Sequence, residues 1–409
     1  MTSDLALEIA DRLAQPTAAG LPADQSWWRQ SLAHGIPGIA LLHTELAAIG
    51  LRPFRRVHDW LTMTAGSPVT TGATTGLFYG APAVAFALAR AAAVRPGTYR
   101  AATESLDARI AVDAHRRIDE AHTRIAAGRL PRMAEFDALR GLAGVGAYLL
   151  HHDPDGAALR AVLGYLVQLT HPVITNDQPL PGWWTLTGPT GRVDAEFPGG
   201  HGNFGLAHGI CGPLAVLAQS QRRGISVGGQ LDAINTICTW LDSWRIDTAA
   251  GYRWPYMITR SELCARPVHV RHSGAKRRPS WCYGTAGIAR SLQLAAVASG
   301  DTNRRRIAED ALASALTEPA QRDLITDASL CHGYAGLARI TARAAADAAE
   351  PTAARLRALV PELLDRAVTQ PTTMASGLLE GAAGIALAAL APATGALTAT
   401  SWDTVLLIA

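Results

Sequence analysis

The chain has 409 residues, 48% of them hydrophobic and 17% charged, with a formal net charge of +3. That much apolar residue in a chain of this length supports a large core, and so small a charge gives no argument for nucleic acid. Five cysteines, an odd number, do not make the disulfide framework of a small secreted protein and point to a reducing cytosol.

At the N-terminus, "MTSDLALEIADRLAQ" sets acidic residues in a helical pattern and lacks the basic-then-apolar order of a signal peptide. One pattern then recurs seven times: "HGIPGIALL" from His34, "YGAPAVAFAL" from Tyr79, "RGLAGVGAYLL" from Arg140, "HGICGPLAVL" from His208, "YGTAGIARSL" from Tyr283, "HGYAGLARI" from His332 and "EGAAGIALAAL" from Glu380. Each copy is a polar residue, Gly-x-x-Gly and an aliphatic run; only the second replaces the last glycine, with Ala83. The runs have no polar face, which predicts buried helices. Between them, "AEDALASALTEPAQR" and "PTAARLRALVPELLDRA" carry charge on one side of a helical pattern. Each repeat is therefore predicted as an outer amphipathic helix followed by an inner apolar one, a helical-hairpin unit.

Such units must stack to bury their inner faces. The last copy is as apolar as the others and the chain ends on "SWDTVLLIA", which suits covering a seam. The expected fold is thus all-α: a closed α/α toroid of seven hairpins, a single domain over 1–409, with Gly-x-x-Gly at the inner-helix starts. The glycines let inner helices approach closely there and serve equally as N-terminal turns. "GLLEGAAGIALAALAPATGAL" (Gly377 to Leu397) approaches the roughly 20 residues of a membrane span. It contains Glu380 and Pro392, however, and predicts a core helix.

Two long stretches, about 171–205 and 246–281, show no helical pattern and are expected as loops over the mouth of the barrel. Loops of that length in a compact domain are usually functional. Their Trp, Tyr, Arg and His content suits a peptide, and the basic run 266–278 suits acidic residues of a leader segment or simple solvation.

The residues before the first glycine are His34, Tyr79, Arg140, His208, Tyr283, His332 and Glu380. Symmetric repeats place them at one level, where helix N-termini favour anions and thiolates. One residue earlier stand Phe78, Leu139, Ala207, Cys282, Cys331 and Leu379, so two cysteines share one register in adjacent repeats and His332 follows the second. A disulfide is the structural alternative. Zinc fits better: it takes thiolate and imidazole ligands, and three protein ligands leave a fourth position open. Thiolates disfavour magnesium and calcium. Cys211 and Cys238 lie in apolar patterns and read as core, Cys264 as a loop residue.

"SWCYG", "CHGYAG", "LAHGICG" and "FDALRGLAG", with "PGWW" (Pro181 to Trp184) and the terminal "WDTVLL", closely resemble the lanthionine synthetase C-like cyclases of lanthipeptide biosynthesis, over essentially the whole chain. The resemblance implies an α/α toroid with one catalytic Zn2+ held by Cys282, Cys331 and His332. It also implies catalytic roles for His208 and Asp137 and a further active-site arginine, Arg278. The implied reaction adds peptide cysteine thiols to dehydroalanine or dehydrobutyrine, making lanthionine or methyllanthionine thioether rings. The implied substrate is a dehydrated precursor peptide, with a lanthipeptide dehydratase and an exporter as candidate partners. The implied location is the cytoplasm, or the membrane face within a biosynthetic complex, with no membrane span.

Such chemistry needs a thiolate, although a free thiol has a pKa of about 8.5. It also leaves an enolate whose α-carbon must take a proton. His208 is the candidate acid or enolate stabiliser; Asp137 is expected to orient it or accept the thiol proton, and Arg278 to stabilise enolate charge. The alternatives are a relative that adds glutathione or another thiol, and a prenyltransferase-type toroid with an Asp-Cys-His zinc site. A carbohydrate-active toroid would need paired carboxylates and leave both cysteines unexplained.

Overall fold

A computed structural model describes residues 2–16, 26–64, 68–175, 177–188, 190–193, 197–249, 251–265, 277–370, 375–391 and 398–409. Helix α1 (Thr2–Arg12) is followed by α2 (Ile36–Ala48), α3 (Arg55–Thr64), α4 (Ala81–Val94), α5 (Arg100–Ala126), α6 (Met133–Phe136), α7 (Leu142–His152) and α8 (Ala157–Gln168). Next come α9 (Cys211–Arg222), α10 (Gln230–Ser243), α11 (Arg260–Ala265), α12 (Thr285–Ser299) and α13 (Thr302–Thr317). The last are α14 (Pro319–Arg322), α15 (Tyr334–Asp347), α16 (Thr352–Thr369) and α17 (Ala382–Leu390). Helices α2, α4, α7, α9, α12, α15 and α17 are the seven apolar runs of the repeat, and each is largely buried.

The chain forms two compact units, Met1–Ala111 with Ile325–Leu406, and Val112–Leu324 with Leu407–Ala409. In the first, the inner helices stand in the order α15, α17, α2, α4. In the second the order is α7, α9, α12. The main packing partner of α2, α7, α12 and α15 is the outer helix that follows it, and α1 packs on α17. The hairpins therefore run inner then outer, the reverse of the order expected from the sequence, and the first helix of the chain completes the last hairpin.

The glycine motif has a backbone explanation. The first N–H groups of a helix lack intrahelical partners, and none of the seven inner helices has a side-chain cap. Instead the chain folds back beneath the helix start and offers carbonyls seven residues upstream. Tyr334 N donates to Asp327 O at 3.0 Å, Gly287 N to Ser280 O at 3.0 Å and Ala382 N to Ala375 O at 3.0 Å. So close a return excludes a side chain. A Cβ on Gly336 would lie 2.0 Å from Leu330 O, and one on Gly384 1.8 Å from Leu378 O. Neighbouring repeats come next: the same Cβ on Gly384 would lie 2.8 Å from Leu330 Cδ1. The turn role is the tighter constraint and helix approach the weaker one.

Single backbone hydrogen bonds join the turns side by side. In the first unit Cys331 N donates to Leu379 O (2.8 Å), Leu379 N to Ala33 O (2.9 Å) and Leu32 N to Phe78 O (2.9 Å). In the second, Ala138 N donates to Ala207 O (3.0 Å) and Ala207 N to Cys282 O (3.3 Å). Within each unit these bonds fix the polar positions at a common level.

The C-terminal segment is buried. Asp403, in the short helix Trp402–Leu406, accepts from Arg339 at 2.6 Å and from Arg343 at 2.7 and 2.9 Å. Within the second unit, the carbonyls of Leu407 and Ile408 accept from Gln219 (2.9 Å) and Arg290 (2.8 and 3.0 Å).

The two long stretches are not wholly irregular. They hold β1 (Val173–Thr175), β2 (Gln178–Leu180), β3 (His201–Asn203), β4 (Ile246–Thr248), β5 (Gly251–Arg253) and β6 (Met257–Thr259). Antiparallel pairs form between β1 and β2, β4 and β5, and β3 and β6. The last pair ties one stretch to the other, with Asn203 opposite Met257. Their tryptophans are core: Trp183, Trp184 and Trp254 are at most 2% exposed, and Trp240 stacks on Phe204 at 4.3 Å. These rings hold the loops down and offer no surface to a peptide. Residues 266–276 of the basic run lie outside the described residues. Among the described residues no helix is long and apolar enough to cross a membrane; of Gly377 to Leu397, 382–390 form the buried α17 and 392–397 are not described.

Candidate active site and metal centre

A second register underlies the glycine motif. Three residues before the polar position, Ser31, Ser280 and Ser329 hold the N–H of His34 (3.1 Å), Tyr283 (3.3 Å) and His332 (3.4 Å). In the third repeat that register is Asp137, whose Oδ1 accepts from Arg140 N (2.7 Å) and Gly141 N (2.8 Å). A serine suffices for this local bond elsewhere. The carboxylate adds a second oxygen, and Asp137 Oδ2 lies 2.8 Å from His208 Nδ1. Asp137 is 2% exposed and the imidazole half-buried. The structure therefore joins the two residues through an oxygen that the turn does not require.

Around this pair stand Tyr283, one of the seven polar positions, and residues not singled out in the sequence, Asn203, Tyr256 and Arg277. The Tyr283 ring is 6.3 Å from His208 and 5.4 Å from Tyr256. Tyr283 Oη accepts from Asn203 Nδ2 at 3.0 Å. Tyr256 Oη donates to the Arg278 carbonyl at 2.7 Å, and burial pushes its phenol up to about 12. The Arg277 guanidinium lies over the Tyr256 ring at 5.4 Å. Arg278 is thus brought to the site through its main chain and through its charge beside Tyr256. No hydrogen bond commits its guanidinium among the described residues.

Cys282 follows in the same turn, with Sγ 3.6 Å from Ser280 Oγ. One ligand atom from each of Cys282, Cys331 and His332 lies within 4.8 Å of the other two. Among the described residues no other group of three His, Cys, Asp or Glu side chains meets that test. His332 Nε2 is 3.2 Å from Asp327 Oδ2, and Nδ1 is 3.9 Å from Glu380 Oε1. Asp327 also accepts from Ser329 N at 2.6 Å. Burial acts to raise the Asp327 carboxyl, but these partners outweigh it and hold the group below the usual carboxylate range. A carboxylate on one imidazole nitrogen fixes the ring and makes the other nitrogen a better ligand.

The remaining cysteines stand apart from this chemistry. Cys211 and Cys238 are buried and their thiols pushed up by desolvation, Cys238 to about 12. Cys264 is exposed and lies on α11 rather than in a loop.

The model of the family described as lanthionine synthetase C-like protein matches residues 26–407. The chain is 28% identical over 210 residues to the nisin biosynthesis protein NisC of Lactococcus lactis subsp. lactis, a match covering 50% of this chain and 48% of that protein. The match thus spans about half the length of that relative. A solved nisin cyclase superposes with a TM-score of 0.78 at 19% identity, covering 100% of this chain and 96% of that one. The likeness shows the fold, an α/α toroid.

Proposed function

Because the chain belongs to the lanthionine synthetase C-like family, we propose that it is a zinc-dependent lanthipeptide cyclase acting as one domain over 1–409. It adds cysteine thiols of a dehydrated precursor peptide to dehydroalanine or dehydrobutyrine and closes (methyl)lanthionine rings. The observation that carries this reading is the convergence of Cys282, Cys331 and His332 within 4.8 Å.

The donor set fits zinc. Two sulfurs and an imidazole nitrogen at this spacing suit a tetrahedral ion with bonds of about 2.0–2.3 Å, and three protein ligands leave one position for a substrate. When bound there, zinc supplies the Lewis acidity that keeps a ligated thiol ionised near neutral pH.

The chain's own residues handle protons and charge. Ring closure forms a bond from sulfur to the alkene β-carbon, and the alkene pair moves toward the carbonyl as an enolate. The thiol gives up one proton and the α-carbon receives one, so the addition is isomeric. With its Nδ1–H held by Asp137, His208 presents Nε2 as the atom that moves the proton. Asp137 stabilises the imidazolium while His208 carries it. Arg278 offers positive charge to the enolate oxygen, and Tyr283 places its phenol ring 6.3 Å from His208. The dehydrated peptide requires prior loss of water from serine or threonine, so a dehydratase is the expected supplier and an exporter the expected outlet, in the cytoplasm or at the membrane face.

Metal analysis of the wild type and Cys331→Ala tests the site: about one zinc per chain in the wild type and loss in the variant are expected. Mass does not report an isomeric ring closure. Thiol alkylation of a dehydrated, cysteine-containing peptide does, and equal alkylation with and without enzyme overturns the proposed reaction for that peptide.

A further inference from the structure

The turn that carries His208 lacks a side chain in the cap register, as do the second and seventh copies with Gly76 and Gly377. Its cap register, three residues before the polar position, is Gly205, which has no side chain to hold an N–H. Asn203 takes over. It is fully buried on β3, its Oδ1 accepts from Gly205 N at 2.9 Å, and its carbonyl accepts from Ile210 N at 3.0 Å. The chain wraps so closely around it that a Cβ on Gly209 would lie 2.5 Å from Asn203 Oδ1. The side chain's other end serves a different repeat, since Nδ2 donates to Tyr283 Oη at 3.0 Å. Its second contact, Met133 Sδ at 3.9 Å, is weak.

One amide therefore spans the two turns that present His208 and Tyr283, and β3 is itself anchored by pairing with β6. An aspartate or a serine would satisfy Gly205 N as well. An amide does both through separate atoms, accepting from that N–H and donating to the phenol, which a carboxylate cannot. We infer that Asn203 is a positioning residue for the cyclisation: it fixes the Tyr283 hydroxyl relative to the His208 imidazole. The inference rests on the cyclase reading above.

Asn203→Asp is the informative substitution. Its carboxylate keeps an acceptor for Gly205 N and reverses the bond to Tyr283, whose hydroxyl must now donate inward. Misplacing one group at a reacting centre costs about 10²-fold, so kcat on a dehydrated peptide falls by about that factor. KM changes by less than about threefold, as expected when an interaction of the transition state is lost. Zinc content stays at the wild-type value. Tyr283→Phe removes the same hydrogen bond without burying a charge and lowers kcat similarly. Adding Asn203→Asp to Tyr283→Phe lowers it less than about twofold further, because residues acting through one bond are not additive.

Multiplying losses in the double variant overturn the proposal, as does an Asn203→Asp enzyme with zinc and near wild-type kcat. A wild type that closes no ring refutes the cyclase reading instead. If the buried carboxylate prevents folding, Asn203→Ser, too short to reach Tyr283, is judged by the same two criteria.

Discussion

Replacing Asp137 with asparagine separates its two duties. The Oδ1 bonds to Arg140 N and Gly141 N, 2.7 and 2.8 Å, pass to the amide oxygen, and Asn and Asp are nearly equal in such capping positions. Stability should therefore change by less than about 1 kcal/mol. At the other end an amide N–H₂ replaces the carboxylate oxygen 2.8 Å from His208 Nδ1. Two donors cannot face each other, so Nδ1 becomes the acceptor and the ring proton moves to Nε2, the atom that must accept one. The charge-assisted bond to the imidazolium, worth about 1.5–3 kcal/mol, is lost as well. Removing a general acid–base contribution costs about 10²- to 10⁴-fold, and ring closure should fall in that range. The assay is the time course of free-thiol loss from a dehydrated peptide, read by alkylation and mass, with zinc content measured in parallel. Asp137→Ser is the companion variant. Serine occupies this register at Ser31, Ser280 and Ser329, so the turn should form while His208 loses its partner. If either variant folds, holds zinc and closes rings within about threefold of wild type, Asp137 is a turn residue and its contact with His208 is incidental.

Asp327→Ala removes the carboxylate 3.2 Å from His332 Nε2 and should weaken zinc binding about 10- to 100-fold in chelator competition; unchanged affinity removes its role in orienting the ligand. Asp403→Ala leaves Arg339 and Arg343 buried without their shared partner and should cost about 3–5 kcal/mol in urea denaturation; a loss below about 1 kcal/mol would place this cluster among ordinary surface pairs. Burial holds His43 neutral, lowering its pKa from 6.5 to about 4. The unfolded chain then takes up a proton first as pH falls, so the His43 contribution is complete above pH 6.5 and is lost toward pH 4, by about 3 kcal/mol. Denaturation midpoints of wild type and His43→Gln across that range should show the wild type with the steeper decline, and equal slopes refute the assignment.

The parts of the fold that were legible in the sequence are those in which a backbone requirement leaves a residue signature. Six of the seven inner helices begin at a Gly-x-x-Gly, and the returning carbonyl, 2.0 Å from a Cβ on Gly336, excludes anything larger there. Cys282, Cys331 and His332 were legible for the same reason: the repeat gives their register, and backbone bonds such as Cys331 N to Leu379 O hold that register in space. Hairpin order was not legible, because a contact between α1 and α17 joins the two ends of the chain and leaves no local trace. The short strands were missed because three residues carry no readable alternation. The loop tryptophans were misassigned to a peptide surface because composition does not distinguish a buried ring from an exposed one.

Asp137 occupies an intermediate position between these cases. From sequence its role came only through family resemblance, yet the register that singles it out was present. Aligning residues three before the polar position puts Asp137 beside Ser31, Ser280 and Ser329, with Gly76, Gly205 and Gly377 in the other three copies. A carboxylate where a hydroxyl meets the local need signals an oxygen with other work. Among the seven register residues only Asp137 is a carboxylate, and two of the three serine-capped repeats supply Cys282, Cys331 and His332. On the proposed reading, the carboxylate facing His208 is the one departure in this register that adds an acceptor, and the candidate metal ligands follow serine caps. Placing a serine in this register at Asp137 should therefore lower ring closure and leave zinc content unchanged.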